Sequence, residues 1–183
     1  MSEKNISDGR IVIASVGTII WRERNGEIEI LTGIRQNEPW AGCSMAVFGG
    51  LVDANDFDIK AAAIREAKEE TGIIVRRREL IDVGIYGPKA LHHAIKLIGY
   101  GRKFKATPTR EEISEKYKFV MVVFAAKYKS GRTKNNKEVK SLKFDGLIKL
   151  AEKKTELAFD QGKILEDFYK ITAVFDRDPN LQR

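Results

Sequence analysis

A single cysteine, Cys43, stands among the 183 residues, so no disulfide can form within the chain. A reducing, cytoplasmic setting is the default for such a sequence. A nucleophilic Cys43 is the sharper reading; a small residue in the loop before a strand is the plainer and favoured one. Histidine is nearly as scarce, with His92 and His93 the pair present. As neighbours on a strand they point to opposite faces, so they cannot both ligate one metal. They read as structural or rim residues. Long apolar runs are missing as well. Nothing approaches the ~20 residues of a membrane span, and the opening MSEKNISDGR is polar rather than signal-like. A membrane is therefore not an expected partner. No internal repeat and no linker divides the sequence.

What remains is an ordinary globular balance, 43% apolar and 32% charged. A chain of this length is expected to form one domain over residues 1–183, with flexible ends at 1–9 and 176–183. The net charge is +7. That balance fits nucleic acid, a membrane surface or a phosphorylated small molecule. Arg76, Arg77 and Arg78 form one basic run, and residues 127–140 hold many Lys and Arg. Neither run interleaves aromatics as a single-strand platform does, so nucleic acid is the lesser reading. The second run reads as a mobile hairpin loop with a solvated charge excess.

Residues 11–21 are rich in β-branched side chains and predict a strand. Asn25-Gly26 predicts a hairpin turn into a second strand over 27–35. Residues 44–52 read as a third strand, and 79–86, roughly 91–100, 119–127 and 139–144 as others. Residues 101–117 are polar and read as a loop or short helix. The last helix starts near Asp160 as N-cap and carries Ile164, Leu165, Phe168 and Tyr169 on its apolar face. Strands on both sides of a central helix, closed by a second helix, fit an α/β sandwich with a mixed β-sheet.

The central helix belongs to residues 49–73, GGLVDANDFDIKAAAIREAKEETGI. Asp56 or Asp58 can cap its start, and Gly72 sits where a helix stops in the left-handed conformation. On an ideal helix Ile59, Ala62, Ala63, Glu66, Glu69 and Glu70 share one side, apolar first and acidic last. Glu66 and Glu70 are a like-charged i,i+4 pair, destabilising by roughly 0.2–0.5 kcal/mol. Negative charge at a helix C-terminus also opposes the helix dipole. A divalent cation relieves both penalties, and clustered carboxylates suit a hard ion such as Mg²⁺. The plainer reading is a solvated face with an Arg65–Glu69 salt bridge. The acids extend an apolar stripe and follow a Gly-Gly turn, which favours the metal site.

This stretch resembles the Nudix box. Arg65-Glu66-Ala67-Lys68-Glu69-Glu70-Thr71-Gly72-Ile73 matches its second half throughout. The first half departs. Gly50 lies one residue farther from Arg65 than the usual spacing. Counting forward, the spaced acid is Asp56, where the family has Glu; counting back from Arg65 lands on Phe57. Phe48 stands before the glycine pair where proline is common. The extra residue is expected in the loop before the helix, where insertions are tolerated. A weaker resemblance lies in TELAFDQGKILED, residues 155–167, which looks like the end of ADP-ribose pyrophosphatase-like and NrtR-type Nudix domains. The winged-helix domain of the regulators is not expected here.

The resemblance implies a Nudix-type α/β/α sandwich, class α/β (α+β). It implies a Mg²⁺-dependent hydrolase, with Mn²⁺ as a substitute, that cleaves the diphosphate linkage of a nucleoside diphosphate derivative. ADP-ribose or a related dinucleotide leads on the TELAFDQ likeness. The alternatives are a triphosphate pyrophosphatase of the housecleaning type and a non-catalytic nucleotide sensor or RNA-binding module. Glu66, Glu69 and Glu70, with the Gly50 carbonyl, are the implied metal ligands. Arg65 is implied to orient these carboxylates, completing the expected catalytic set. Arg35, ending the second strand, and Phe48 are candidates for substrate contact. Glu111, Glu112 and Glu115 are candidates for a loop base, because the family often takes that group from outside the box. A nucleotide is the expected partner, and a homodimer is a further expectation.

Overall fold

The computed structural model describes residues 11–37, 40–87, 117–152, 157–158 and 161–175. The expected strand at 91–100, His92, His93, Asp160, Glu111, Glu112, Glu115 and the two ends lie outside these residues. A hairpin opens the fold. β1 (Ile11–Arg24) runs antiparallel to β2 (Glu27–Arg35), with Arg24 opposite Glu27 and Trp21 opposite Ile30. Asn25 and Gly26 join them with φ of 54° and 76°, the paired positive values a tight hairpin turn requires. β1 then lies parallel to β5 (Tyr117–Lys127), and β4 (Leu80–Tyr86) pairs antiparallel with the other edge of β5. β3 (Ser44–Met45) and β6 (Val139–Gly146) both pair with β2. The described sheet is thus six-stranded and mixed, in the order β3-β2-β1-β5-β4 with β6 on β2.

The central strands are buried on both faces, so they read as apolar runs rather than alternating ones. Val16, Ile20, Phe124 and Ala126 join one core with α1 (Ile59–Thr71). Ile19, Val123 and Ala125 join another with α2 (Leu147–Glu152) and α3 (Gln161–Phe175). The result is the expected α/β/α sandwich. Ala62, Ala63 and Ala67 are fully buried, and their small side chains let α1 lie close to the sheet. On α3, Ile164, Leu165 and Phe168 are buried as expected, while Tyr169 is half exposed and Thr172 fills the inner face. No helix among the described residues is long and apolar enough to cross a membrane.

The expected strand at 44–52 is interrupted. Only Ser44 and Met45 pair with β2, opposite Ile34 and Gly33. From Phe48 onward the chain follows β1 instead, with Thr18 N–H donating to Phe48 O at 2.7 Å and Val16 N–H to Gly50 O at 2.9 Å. Gln161 explains the break. Its buried amide oxygen accepts from the N–H groups of Ala46 (2.7 Å) and Val47 (3.0 Å), and its amide nitrogen donates to Val47 O at 3.1 Å. One side chain of the TELAFDQ motif thus replaces a ladder and sets the path into Gly49.

Gln161→Leu keeps the volume and removes all three bonds. It is expected to lower the unfolding free energy by roughly 2–4 kcal/mol, read from urea denaturation followed by tryptophan fluorescence. A loss below about 0.5 kcal/mol would show that water replaces the amide.

Candidate active site

The site is a strand–loop–helix in which backbone meets carboxylate. Gly49 presses on β1 so closely that a Cβ there would sit 2.0 Å from Val16 O. Its N–H donates to Glu70 Oε2 at 2.6 Å. A Cβ on Gly50 would lie 2.7–2.9 Å from the carboxylate atoms of Glu66. Glycine at both positions is therefore a condition for bringing the acidic end of α1 against the sheet. The Gly50 carbonyl already accepts from Val16 N–H and keeps a second lone pair.

Arg65 resolves the register of the box. Its Nε and Nη2 donate to Asp56 Oδ1 and Oδ2 at 3.0 and 2.8 Å, a bidentate pair. Nη1 donates to Glu66 Oε1 at 2.6 Å and to Glu69 Oε2 at 3.3 Å, and Nη2 to Leu51 O at 3.1 Å. Asp56 is thus the spaced acid, and its hydrogen bonds from Arg65 hold it below the usual carboxylate range. Phe57, 91% exposed, is the residue bulged out of the spacing. Asp58 caps the helix instead, accepting from Ala61 N–H at 2.9 Å. Its ion pair with Arg77 lowers its pKa to about 2. Arg77 is therefore paired within the fold.

The three glutamates of the box differ. Glu70 is buried, and loss of solvent raises its pKa to about 8, with the charges of Glu66 and Glu138 adding to the rise and the Gly49 N–H and Arg35 opposing it. Burial also raises Glu66, against its bond from Arg65. Glu69 has an exposed side chain, whereas that of Glu66 is mostly buried, though Arg65 Nη1 bonds both. Phe48, expected to touch substrate, is fully buried in the core with α1, where its large ring gains most. Arg35 is buried too; its Nε donates to Asn37 O at 3.0 Å, and its charge bears on Glu70 and Glu138.

The basic stretch at 127–140 is also corrected. β5 and β6 do not pair with each other, so it is not a hairpin. Residues 128–138 cross the C-terminal end of α1 and are fastened there. Lys134 N–H donates to Thr71 O at 2.8 Å. Asn136 Nδ2 donates to Glu69 O and Glu70 O at 2.9 and 2.8 Å. Free carbonyls at a helix end draw in donors wherever the chain can supply them. Glu138 and Asn136 reach the site in this way. No spacing rule links them to the box, and an Asn two residues before an acid in a basic loop was the only sequence signal.

Among the described residues no three carboxylate, imidazole or thiol groups are placed together to hold a metal ion. Glu66 is drawn to Arg65 and Glu70 to the Gly49 N–H. The donor set still fits a hard cation. It is all oxygen, two of its carboxyls resist ionisation without a counter-charge, and the missing Cβ of Gly50 leaves room beside Glu66.

A family model described as the NUDIX domain matches residues 13–168. The chain belongs to the Nudix family. This Nudix chain is 28% identical over 142 residues to the ADP-ribose pyrophosphatase of Methanocaldococcus jannaschii, a match covering 78% of the chain and 66% of that enzyme. It thus spans just under two thirds of that relative's length. The NUDIX domain of Shewanella oneidensis NrtR, solved with ADP ribose, superposes with a TM-score of 0.63 at 16% identity, covering 94% of each chain. An Ap4A hydrolase from C. elegans matches with a TM-score of 0.57 at 19% identity, over 89% of this chain and 99% of that one. At such identities the solved structures speak for the fold.

A carboxyl raised by folding makes the native state hold a proton that the unfolded chain releases. For Glu70 the penalty is absent below the ordinary value of 4.5, grows with pH and is complete above about 8. The stability of the metal-free protein is expected to fall across that window, and Glu70→Gln to flatten the fall. Denaturant melts at about pH 5 and about pH 8 check this. An equal slope in the variant would mean that Glu70 is already ionised in the native state.

Proposed function

We propose that this Nudix protein hydrolyses the diphosphate linkage of a nucleoside diphosphate derivative, ADP-ribose or a related dinucleotide, with a divalent cation such as Mg²⁺. The observation that carries the reading is the acidic end of α1, held by Arg65 against Gly49 and Gly50. The substrate preference rests on the ADP-ribose pyrophosphatase relative.

The diphosphate is anionic, and so is the site that must receive it. Glu66 and Glu70, with Glu69 and the Gly50 carbonyl, would hold the cation. When bound, it would neutralise the diphosphate and lower the pKa of a water. The rest is the work of the chain. Arg65 keeps Glu66 and Glu69 from splaying, and Asp56 keeps Arg65 in place. Glu70 is oriented by the Gly49 N–H. Glu138 is the described carboxylate outside the box whose charge acts on both Glu66 and Glu70. We assign it the loop-acid role that Glu111, Glu112 and Glu115 were expected to fill.

Hydrolysis should vanish in excess chelator and return with Mg²⁺ or Mn²⁺. ADP-ribose should be cleaved faster than ATP or GTP, and Glu70→Gln should lose most of the rate while staying folded. Phosphomonoester release from a panel of dinucleotides and triphosphates measures all three. Full activity in chelator would refute the metal, and faster cleavage of triphosphates would refute the substrate class.

The register of the box gives a separate expectation. Asp56→Asn weakens the hold on Arg65 and should lower the rate about tenfold. Phe57→Ala, at the bulged residue, should leave it unchanged. A larger loss from Phe57→Ala than from Asp56→Asn would overturn the assignment of the spaced acid.

A further inference from the structure

We propose that Asn136 is a positioning residue of this site: one side chain fastens the 128–138 crossover, and with it Glu138, to the acidic end of α1. The inference rests on the metal-dependent reading above.

The last carbonyls of a helix have no partner within it. Here every one of them is met. Lys68 O takes the Gly72 N–H and Thr71 O takes the Lys134 N–H. Between them, Glu69 O and Glu70 O both take the Asn136 amide nitrogen. The other end of the same amide is equally engaged. Asn136 Oδ1 accepts from the N–H groups of Glu138 and Val139 at 2.7 and 2.8 Å. A primary amide offers two donor hydrogens and two acceptor lone pairs, and all four are used. Its donors hold the residues that carry two of the box glutamates. Its acceptors hold the backbone of Glu138 and Val139.

No other side chain reproduces this. Aspartate keeps the acceptors, loses both donors and adds charge at the negative end of the helix dipole. Glutamine keeps the chemistry and moves it by one methylene. A merely solvated asparagine on a charged loop has no need of four simultaneous partners on two segments 66 residues apart. The crossover is also tied by the Lys134 N–H to Thr71 O and by the Gln36 N–H to Glu138 O, both at 2.8 Å; Asn136 is the tie that joins the Glu138 backbone to the carbonyls of Glu69 and Glu70. Asn136 touches no reacting atom, and its effect passes through Glu138 and the end of α1.

The test is a double-mutant cycle on Asn136→Asp and Glu138→Gln, read by Mn²⁺ binding in a calorimeter without substrate, with kcat, KM and melting temperature measured beside it. Asn136→Asp is expected to weaken Mn²⁺ binding about tenfold and to lower kcat with KM little changed. Adding it to Glu138→Gln should cause little further loss, because both act on one carboxylate. Mn²⁺ affinity equal to the parent's, or losses that add in full, would overturn the proposal and leave Asn136 a simple helix cap. If Asn136→Asp does not fold, Asn136→Ser takes its place in the cycle, and the same two outcomes support or overturn the proposal. A parent that binds no Mn²⁺ refutes the metal reading itself, and the inference falls with it.

Discussion

Carboxylates crowd the negative end of a buried helix, and the surrounding structure answers that one electrostatic problem. Glu66 and Glu70 repel each other, oppose the dipole of α1 and lose solvent against the sheet. Each neighbour removes part of the penalty. Arg65 bridges Glu66 and Glu69 from outside, the Gly49 N–H donates to Glu70, and the positive charge of Arg35 works against the rise in its pKa. Asn136 and Lys134 cover the helix carbonyls that would otherwise add to the negative field. What is left uncompensated is the part a divalent cation fits.

This arrangement depends on precision in the apolar frame. Alanines bring α1 close to β1, and two glycines let the loop pass between strand and helix with no side chain in the way. Gln161 reaches through the opposite layer and fixes the backbone just before those glycines. The two cores are thus coupled at the point where the site is built. Polar groups inside a core specify one geometry when they are paired, and the buried Gln161 amide makes three bonds to the backbone of Ala46 and Val47. Free energy withheld by the acids in the metal-free state is the usual trade between stability and function.

The short segment 56–58 shows how an insertion is absorbed. Two aspartates take two separate duties, one for Arg65 and one for the first turn of α1, and the phenylalanine between them turns out to solvent. The register of the box survives because side chains set it, while the loop length does not. Spacing counted from either end in the linear sequence gives different answers, and only the ion pair chooses between them.

Much was legible beforehand, for reasons of local chemistry. The hairpin at Asn25-Gly26, the capped helix ending at Gly72, the apolar strands and the acidic face each follow from short-range rules of turns, caps and periodicity. The box residues from Arg65 to Ile73 carry their own spacing, so the family was visible in them. Other features required the fold. Phe48 is a core residue because the chain changes partner strand at that point. Glu69 has an exposed side chain and Glu66 a mostly buried one, though Arg65 bonds both. The 127–140 stretch is fastened rather than mobile because its amides meet helix carbonyls some 60 residues away in the chain. Hydrogen bonds and ion pairs between distant segments leave no period and no spacing in a sequence. They exist only once hydrophobic burial has brought those segments together, so tertiary structure alone decided which distant residues are fastened to the box.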